Sequence, residues 1–580
     1  MTDQNPTEAF RAARDLLLAH RTDEDAARAA FQWPDVGGHF NWAVDWFDAI
    51  AEGNGRLALW IVDDEGNEWR ITYDEMRRRS NRVANWLISQ GVRRGDSVMI
   101  MLDNRWELWE AMLGVMKAGA VILPTSVVLT SRDLAERVER AQVRAVITDG
   151  ATAPRFDDAA GAPLRIVLDG ERPGWVNWSG VDDAPETAPD VPVDSSDPCI
   201  IYFTSGTTSK SKMVVHTQLS YPVGHLSTMF WIGMQPGDVH LAISAPGWGK
   251  HAWSCFFAPW IAEATVFVYN YRRFQPEALV EQLDRARVNT FCAPPTVWRM
   301  LIQHNIERRP GELHELLSAG EPLNPEVIDT IRRWWGLEIR DGYGQTELTA
   351  TIGNPPGTKI KVGAMGRPLP GNRVELLDPV TGQPTDEGEI CLPLDPRPLN
   401  LMDRYLGDPE KTRIATRDGY YHTSDVAVRD ADGCYTFIGR TDDVFKSSDF
   451  KISPFEVESA LIEHPAVAEA GVVGAPHETR LNIVKAYVAL AAGFEPNAET
   501  ARDILTFARH RLPAYMRVRR LEFFPLPKTA SGKIRRVELR DREALAAAEK
   551  HRIEDEYRDD ELGVKGPSAP APAPAPAPKV

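Results

Sequence analysis

Residues 202–212 read Tyr-Phe-Thr-Ser-Gly-Thr-Thr-Ser-Lys-Ser-Lys. An apolar run, 199–203, stops abruptly at this cluster of hydroxyl side chains, and a second short apolar run, 213–215, follows it. The pattern predicts a strand, a loop and a second strand. Hydroxyl groups, loop N–H groups and two lysines favour a polyphosphate ligand. For this loop alone, a polar hairpin turn is the alternative.

The loop does not have the spacing of a Walker A motif. That motif places a second glycine five residues after the first and continues through Lys-Ser/Thr into a helix. Here Ser211 stands five residues after Gly206, and Met213 follows Lys212. A P-loop NTPase is therefore not expected.

The composition limits the class of protein. With 580 residues, the chain is long enough for more than one domain. Its formal net charge of −17 argues against a general affinity for nucleic acid or anionic lipid. The five cysteines are widely spaced, which predicts buried, reduced thiols and no zinc pattern. Neither a signal peptide nor a membrane-spanning run is recognised, so the cytoplasm is the expected compartment.

Strand and helix patterns alternate along the first 150 residues, which predicts parallel sheets flanked by helices. Strands are expected at 57–62, 69–73, 96–102, 120–124 and 145–148. A helix is expected within 7–30, and 151–197, rich in Asp, Pro, Ala and Gly, predicts an irregular surface connection. A second, smaller α/β pattern begins after residue 440.

Two further motifs carry groups suited to nucleotide chemistry. Residues 341–347 read Asp-Gly-Tyr-Gly-Gln-Thr-Glu: Tyr343 offers a ring for purine stacking, Thr346 a hydroxyl, and Glu347 a hard oxygen ligand for Mg²⁺. Residues 527–534 read Pro-Lys-Thr-Ala-Ser-Gly-Lys-Ile and place Lys533 in a turn, where its charge can stabilise developing negative charge. A polar turn and an exposed basic loop are the respective alternatives.

Together, the three motifs resemble those of the acyl-adenylate-forming superfamily, the AMP-dependent synthetases and ligases, and in particular its short- and medium-chain acyl-CoA synthetases. The superfamily's phosphate loop reads roughly Thr-Ser-Gly-Thr-Thr-Gly-x-Pro-Lys, from which this chain departs at Ser209 and Ser211. The Tyr-Gly-x-Thr-Glu and Pro-Lys-Thr-x-Ser-Gly-Lys patterns match without a gap. The resemblance covers residues 40–545 and implies the cofactors ATP, Mg²⁺ and CoA.

The resemblance also implies the architecture. We expect an α/β protein with a large N-terminal domain of parallel-rich sheets flanked by helices, a β-barrel-like part, and a small mobile C-terminal α+β domain. The expected segments are a helical extension, the large adenylate-forming domain, the small domain, and a charged, then Ala-Pro-rich disordered tail. These correspond to residues 1–35, 36–440, 441–545 and 546–580.

Site roles follow from the resemblance, residue by residue. Phosphate and nucleotide contacts are implied at Thr204, Ser205, Gly206, Thr207, Thr208, Ser209, Lys210, Ser211, Lys212, Gly320, Glu321, Pro322, Asp341, Gly342, Tyr343, Gly344, Gln345, Asp425, Arg440 and Lys451. The implied catalytic residues are Lys533, Thr346 and Glu347, and Glu347 is also the implied metal ligand. The CoA passage would involve Ser448, Asp449 and Phe450, with Asp449 in place of the usual glycine. Asp442 would be the hinge.

The acyl pocket is implied at Trp248, Gly249 and Gly344. Acetate-specific relatives carry tryptophan where this chain has Gly344, so the resemblance implies open space there. The expected substrate is a medium-chain, branched or aryl carboxylic acid rather than acetate, joined to CoA through acyl-AMP. No nucleic acid and no membrane insertion are expected.

Two alternatives remain open at this point. The enzyme could load a carrier protein instead of CoA, with the Ala-Pro tail as a docking element. It could also be a non-catalytic acyl or nucleotide sensor, an idea motivated by Ser209, Ser211 and Asp449. The retained Lys533, Glu347 and Lys212 argue against the sensor. The sequence leaves a homo-oligomer undecided.

Overall fold

The computed structural model describes residues 5–159, 163–204, 211–320, 323–447, 450–477, 480–528, 533–549, 551, 553 and 555–564. The chain divides into two units. Unit 1 comprises the described residues of Met1–Asp378, Gly382–Thr423 and Val428–Phe437. Unit 2 comprises those of Pro379–Thr381, Ser424–Ala427 and Ile438–Val580.

Several helices begin at recognisable capping signals, as at Thr72, where the hydroxyl accepts from Glu75 N and the Glu75 carboxylate accepts from Thr72 N (2.8 Å). The α-helices of the described residues are α1 (Pro6–Ala19), α2 (Glu24–Ala30), α3 (Ala49–Ala51), α4 (Tyr73–Ser89), α5 (Trp106–Lys117), α6 (Ser131–Arg140), α7 (His225–Ile232), α8 (Gly249–Ala252), α9 (Ala258–Ile261), α10 (Pro276–Arg285), α11 (Pro295–Gln303), α12 (Pro325–Trp335), α13 (Pro409–Ala415), α14 (Pro454–Ile462), α15 (Ala498–Arg511) and α16 (Arg536–Ala548). Short 3₁₀ segments occur at Ala153–Phe156, Trp178–Asp183 and Ala514–Met516, and π-helical segments at Trp42–Asp48, Leu219–Val223 and Trp253–Phe257.

The strands of the described residues are β1 (Leu57–Asp63), β2 (Glu68–Thr72), β3 (Ser97–Met101), β4 (Val121–Pro124), β5 (Val143–Thr148), β6 (Leu164–Val167), β7 (Val176–Asn177), β8 (Pro198–Thr204), β9 (Lys212–Thr217), β10 (Val239–Ala242), β11 (Thr265–Asn270), β12 (Thr290–Ala293), β13 (Glu315–Ala319), β14 (Ile339–Tyr343), β15 (Ile352–Gly353), β16 (Arg367–Pro368), β17 (Glu375–Leu377), β18 (Glu387–Pro393), β19 (Arg404–Tyr405), β20 (Tyr420–Arg429), β21 (Tyr435–Arg440), β22 (Phe445–Ser447), β23 (Phe450–Ile452), β24 (Val467–His477), β25 (Leu481–Leu490), β26 (Val518–Phe523) and β27 (Glu556–Arg558). Those that lie inside the sheets of unit 1 are short and apolar, as expected when both faces of a sheet are covered.

Two open sheets form most of unit 1. The first has the order β16-β15-β14-β13-β12-β10-β11-β1-β2, and its strands from β14 to β1 are parallel. The second has the order β19-β9-β8-β4-β3-β5-β6-β7 and is parallel from β8 to β7. The expected parallel-rich sheets are confirmed. The expected barrel-like part does not close into a barrel in the described residues, where β17 and β18 form an antiparallel pair.

The helix expected within 7–30 is present as α1, and a second helix, α2, follows because Asp23 caps it after a turn. Another expectation for unit 1 was wrong in detail. The connection 151–197 is not entirely irregular, since β6 and β7 extend the second sheet in parallel. Both strands are short, and a few apolar residues are enough to form them because the neighbouring strand supplies hydrogen-bonding partners. The Asp- and Pro-rich residues around β6 therefore gave no sequence signal for a strand.

Unit 2 contains a sheet of order β24-β25-β26-β27. Its core includes buried apolar residues of α14 and α15. Residues 555–564, which the sequence analysis placed in the tail, form β27 beside β26 and bury Val564 in this core. The Ala-Pro repeats lie outside the described residues. No helix of the described residues combines the length and apolarity needed to cross a membrane.

Candidate active site

The β8–β9 hairpin carries the first motif. Thr204 ends β8 directly opposite Lys212, which begins β9, and the two strands are antiparallel. The backbone oxygen of Ser211 accepts a hydrogen bond from Arg140 Nη2 (2.7 Å). The loop between β8 and β9, Ser205–Lys210, lies outside the described residues. The phosphate contacts implied for this loop therefore stay predictions.

Tyr405 connects Glu347 with Lys212. In β19, Tyr405 pairs with Val214 of β9, two residues from Lys212. Its hydroxyl donates to Glu347 Oε1 (2.8 Å), and Lys212 Nζ lies 5.0 Å from the centre of its ring. Tyr405 therefore contacts both the buried Glu347 of the second motif and Lys212 of the first. No role for Tyr405 was predicted from the sequence.

His216 positions the backbone of Thr346. Burial lowers the pKa of His216 to about 4, so its imidazole is neutral near pH 7. Because a carbonyl only accepts, Nε2 carries the proton and donates to Thr346 O (2.8 Å), and Nδ1 accepts from the Ser220 hydroxyl (3.1 Å). The strand β9 thus positions both Lys212 and Thr346. An isolated histidine in an apolar strand carries no sequence signal for this role.

The rest of the second motif is held at the end of β14. Burial raises the pKa of Asp341 to about 7, although Gly342 N donates to its carboxylate (2.8 Å). Gln345 Nε2 donates to Thr423 O and its Oε1 accepts from the Tyr421 hydroxyl, both at 2.9 Å. Tyr343 is 9% exposed, which limits how much of its ring can meet a purine.

The implied adenine segment lies at the end of β13. Gly320 has a φ of +104°, which suits glycine, and no atom of the described residues lies within 4 Å of a Cβ built there. Lys250 Nζ donates to the preceding carbonyl, Ala319 O (3.1 Å). Glu321 and Pro322 lie outside the described residues.

The segment around α8 brings one predicted pocket residue, Gly249, next to Thr346, and places the other, Trp248, at a cavity. A Cβ built on Gly249 would lie 3.8 Å from Thr346 Oγ1. Trp248 lines a small cavity whose walls are mostly apolar. Its other lining residues are Ile100, Leu108, Met112, Ile122, Pro124, Tyr202, Pro246, Gly247, His251 and Ala252. Trp248, which lines this cavity, directly precedes Gly249, which lies near Thr346. This arrangement is compatible with an acyl pocket close to Thr346.

Gly344 does not border open space, and the expectation that it does was wrong. A Cβ built there would lie 2.4 Å from Thr349 O and 2.4 Å from Trp253 Cη2. Trp253 is buried, and its Nε1 donates to the Tyr221 hydroxyl (2.8 Å). The space that glycine leaves at this position is therefore occupied by a tryptophan from another segment.

Gly344→Ala is expected to destabilise unit 1 by about 1–3 kcal/mol, because the added methyl group would overlap a backbone carbonyl as well as a ring. The midpoint of urea unfolding, followed by tryptophan fluorescence, measures the effect. Gly249→Ala is the matched control, since its nearest atom would be 3.5 Å away. Equal midpoints for the two variants would contradict the close packing.

The implied ribose residues lie in unit 2. Asp425 is buried in β20, and its Oδ1 lies 3.4 Å from Arg440 Nη1. Arg440 Nε lies 3.5 Å from Asp442 Oδ1. Ser424 has a φ of +62°, and its carbonyl accepts from Thr441 N (2.9 Å). Arg440 thus joins the implied ribose carboxylate to the implied hinge residue.

The remaining implied residues also lie in unit 2. Lys451 pairs with Lys446 across β22 and β23, and the exposed ring of Phe450 stacks on Tyr515 (4.9 Å). Lys533 is exposed and directly precedes a β-bridge between Lys528 and Ile534. Ser448 and Asp449 lie outside the described residues.

The helix after Lys533 is anchored by ion pairs. Arg536, the first residue of α16, donates through Nε to the buried Glu458 (2.8 Å), which also accepts from Val472 N (2.8 Å). Arg540, one turn later, pairs with Asp443. These contacts determine the position of α16 within unit 2, and hence of the end of the Lys533 loop.

Comparison with known proteins decides the family. The model of the family described as "AMP-binding enzyme" matches residues 47–406. The chain belongs to this family. The model described as "AMP-binding enzyme C-terminal domain" matches residues 456–533 of the same AMP-binding enzyme. Membership of the acyl-adenylate-forming superfamily, expected from the three motifs, is confirmed, and the protein is a ligase.

Relatives of this AMP-binding enzyme match most of its length. "4-hydroxybutyrate--CoA ligase 1" of Metallosphaera sedula is 41% identical over 515 residues, which are 87% of this chain and 91% of that protein. "Acyl-coenzyme A synthetase ACSM3, mitochondrial" of Mus musculus is 36% identical over 530 residues, 88% of this chain and 91% of that protein. The solved structure "anthranilate CoA ligase AuaEII in complex with anthranoyl-AMP" has a TM-score of 0.79 at 26% identity and covers 89% of this chain and 99% of that one.

Proposed function

We propose that this protein is an ATP-dependent acyl-CoA synthetase, an acid–thiol ligase that forms acyl-CoA through an acyl-AMP. The family uses ATP and CoA. The observation that carries the proposal is the arrangement of Lys212, Tyr405, Glu347 and Thr346, in which the first two motifs meet in unit 1. The relatives, which are named as CoA ligases, support the same reaction.

The proposed reaction has two steps. A carboxylate oxygen of the acid attacks the α-phosphorus of ATP, and the bond to pyrophosphate breaks. The CoA sulfur then attacks the acyl carbonyl, the bond to AMP breaks, and the thiol proton is released. Neither step needs a protein nucleophile, so the residues act by charge neutralisation and alignment. Lys212 and the Thr346 hydroxyl are the proposed phosphate contacts in unit 1.

Mg²⁺ is the proposed metal, and Glu347 fits it as a ligand. The Glu347 carboxylate is a hard oxygen donor, and Tyr405 orients its Oε1 by a hydrogen bond of 2.8 Å. When bound, Mg²⁺ neutralises phosphate charge. Tyr405 thereby acts as a positioning residue for the carboxylate, and the nearby Lys212 supplies a fixed positive charge to the same region.

Unit 2 carries the other proposed roles. Lys533 stabilises the negative charge that develops during adenylation. Asp425 and Arg440 are proposed as ribose and phosphate contacts, and Lys451 as a phosphate contact. Asp442 is proposed as the hinge whose backbone changes between the two half-reactions. Phe450 is proposed to contact CoA, since its exposed ring already lies stacked on a second aromatic ring.

The proposed acid is larger than acetate: medium-chain, branched or aryl. Its length is limited by Trp253 rather than by Gly344, because the Trp253 ring occupies the space beside that glycine. The hydrogen bond from Trp253 to Tyr221 fixes the ring in this place. A relative named for 4-hydroxybutyrate is consistent with an acid of moderate length.

Trp253→Ala is expected to raise the ratio of kcat/KM for octanoate to that for butyrate at least ~10-fold, because removing the ring extends the pocket by several methylene groups. Steady-state AMP formation with each acid measures this ratio. Trp253→Phe loses the hydrogen bond to Tyr221 but retains most of the ring volume, so its ratio is expected to stay near that of the wild type. An unchanged ratio in Trp253→Ala would place the pocket elsewhere.

The proposed function is tested by AMP formation with ATP, Mg²⁺ and CoA across acids from acetate to decanoate, including branched and aryl acids. CoA-dependent turnover that peaks above acetate supports the proposal. Pyrophosphate exchange without turnover of CoA would favour a carrier protein as acceptor. The absence of both activities would favour a sensor, and Ser209, Ser211 and Asp449 would then be the residues to revert.

A further inference from the structure

Three metal-ligand side chains of different types, none of them part of the three motifs, converge in unit 1. Glu389 and Cys391 lie two residues apart on β18 and so point to the same face of the strand. His422, near the start of β20, meets them there: its Nδ1 lies 2.9 Å from Glu389 Oε2 and 3.5 Å from Cys391 Sγ. The three ligand atoms all lie within 4.8 Å of one another.

This geometry does not suit a nucleophilic triad. In such a triad the nucleophile and the carboxylate bind opposite nitrogens of the imidazole. Here the thiol and the carboxylate both approach Nδ1. His422 Nε2 is buried and has no hydrogen-bond partner among the described residues, so the polar groups do not form a complete network by themselves.

We propose that Glu389, Cys391 and His422 form a binding site for a divalent transition metal, with Zn²⁺ as the best fit. Thiolate, imidazole and carboxylate are the three ligand types that zinc takes in proteins. Ligand bonds of about 2.0–2.3 Å in tetrahedral geometry separate the ligand atoms by about 3.3–3.7 Å, so the observed 2.9 and 3.5 Å need only small adjustments.

The surroundings are compatible with a bound ion. Thiolate and carboxylate together neutralise a divalent cation. Glu375 pairs with Cys391 across β17 and β18, and the Tyr420 hydroxyl donates to its Oε2 (2.8 Å), so a further oxygen ligand lies close by. All three proposed ligands have side chains that are at least nine-tenths buried, which protects a bound ion from exchange with solvent.

A bound ion would cross-link β18 to the first residues of β20. This part of β20 is already tied to β18, because the hydroxyl of Thr423 donates to Ile390 O (2.7 Å). The residue that follows His422 also accepts the hydrogen bond from Gln345 of the second motif. A metal ion at the site would therefore stabilise the part of β20 that accepts the hydrogen bond from Gln345. The proposal does not depend on which acid or acceptor the enzyme uses.

The test is equilibrium dialysis of the full chain against Zn²⁺, with the bound metal measured by mass spectrometry. The wild type is expected to retain about one ion per chain, and Cys391→Ser and His422→Asn are expected to weaken binding at least tenfold. His304→Asn is the matched control, since His304 Nδ1 contacts Glu277 at 3.0 Å on the surface without a thiol. Cys434→Ser controls for a cysteine outside the cluster. Equal binding by Cys391→Ser and wild type would overturn the proposal.

A second measurement does not depend on whether the variants fold. Co²⁺ added to the metal-free wild type is expected to produce a thiolate-to-metal charge-transfer absorption in the near ultraviolet, which Zn²⁺ then displaces. Absence of this absorption would overturn the proposal, since a cobalt ion at this site must contact Cys391. Zn²⁺ is also expected to raise the thermal midpoint of the metal-free wild type.

Discussion

Lys533→Ala is expected to lower the rate of acyl-AMP formation by about 10²–10³-fold, the loss typical of removing one preorganised charged or hydrogen-bonding group from a transition state. In the third motif, Lys533 is exposed and directly precedes Ile534, which forms a β-bridge with Lys528. Pyrophosphate release in the absence of CoA measures the step directly.

The neighbouring Lys528 is the control for a general loss of positive charge. It belongs to the same motif and pairs with Glu469 on the surface of unit 2 (2.8 Å), so Lys528→Ala is expected to change the rate by less than ~5-fold. Synthesis of acyl-CoA from chemically prepared acyl-AMP should survive in Lys533→Ala, because the proposed role ends with adenylation. Full pyrophosphate release by Lys533→Ala would refute the mechanism.

Glu347→Gln is expected to lower adenylation by at least ~10²-fold and to raise the Mg²⁺ concentration needed for half-maximal rate. The substitution removes the negative charge that suits a hard cation but leaves an oxygen able to accept the hydrogen bond from Tyr405. Rates measured across a Mg²⁺ titration give both quantities.

Tyr405→Phe separates the charge of Glu347 from its orientation. The variant keeps the carboxylate and the ring beside Lys212 but loses the hydrogen bond to Oε1, which is worth about 1–3 kcal/mol to a charged group. We expect a decrease of about 5- to 50-fold, smaller than that of Glu347→Gln. If Glu347→Gln kept the wild-type rate and Mg²⁺ dependence, Glu347 would not be the metal ligand.

Features that depend only on residues close together in the chain can be predicted from the sequence. Thr72 and Glu75, three residues apart, form a capping box at the start of α4. The apolar runs on either side of the first motif form the antiparallel pair β8–β9. Such features depend on a few neighbouring residues, and the parallel sheets follow from the alternation of strands with helices.

Contacts between distant segments escaped prediction because they depend on three-dimensional packing. The sequence predicted open space for the acyl chain at Gly344, because nothing in the sequence indicates that Trp253 packs against this glycine. Tyr405 and His216 hold two residues of the second motif, yet each lies in a strand with no motif of its own. The prediction of no zinc pattern considered cysteine spacing, whereas Glu389 and Cys391 meet a histidine from another strand.

By itself, the sequence determined the family, the parallel-rich α/β class and the three motifs, because each is encoded in short, ordered runs of residues. The tertiary structure alone decided which side chains support those motifs and how closely Trp253 packs beside Gly344. Side-chain packing brings together residues far apart in the chain, and its steric limits, such as a carbonyl 2.4 Å from a Cβ at Gly344, exist only once the strands have assembled.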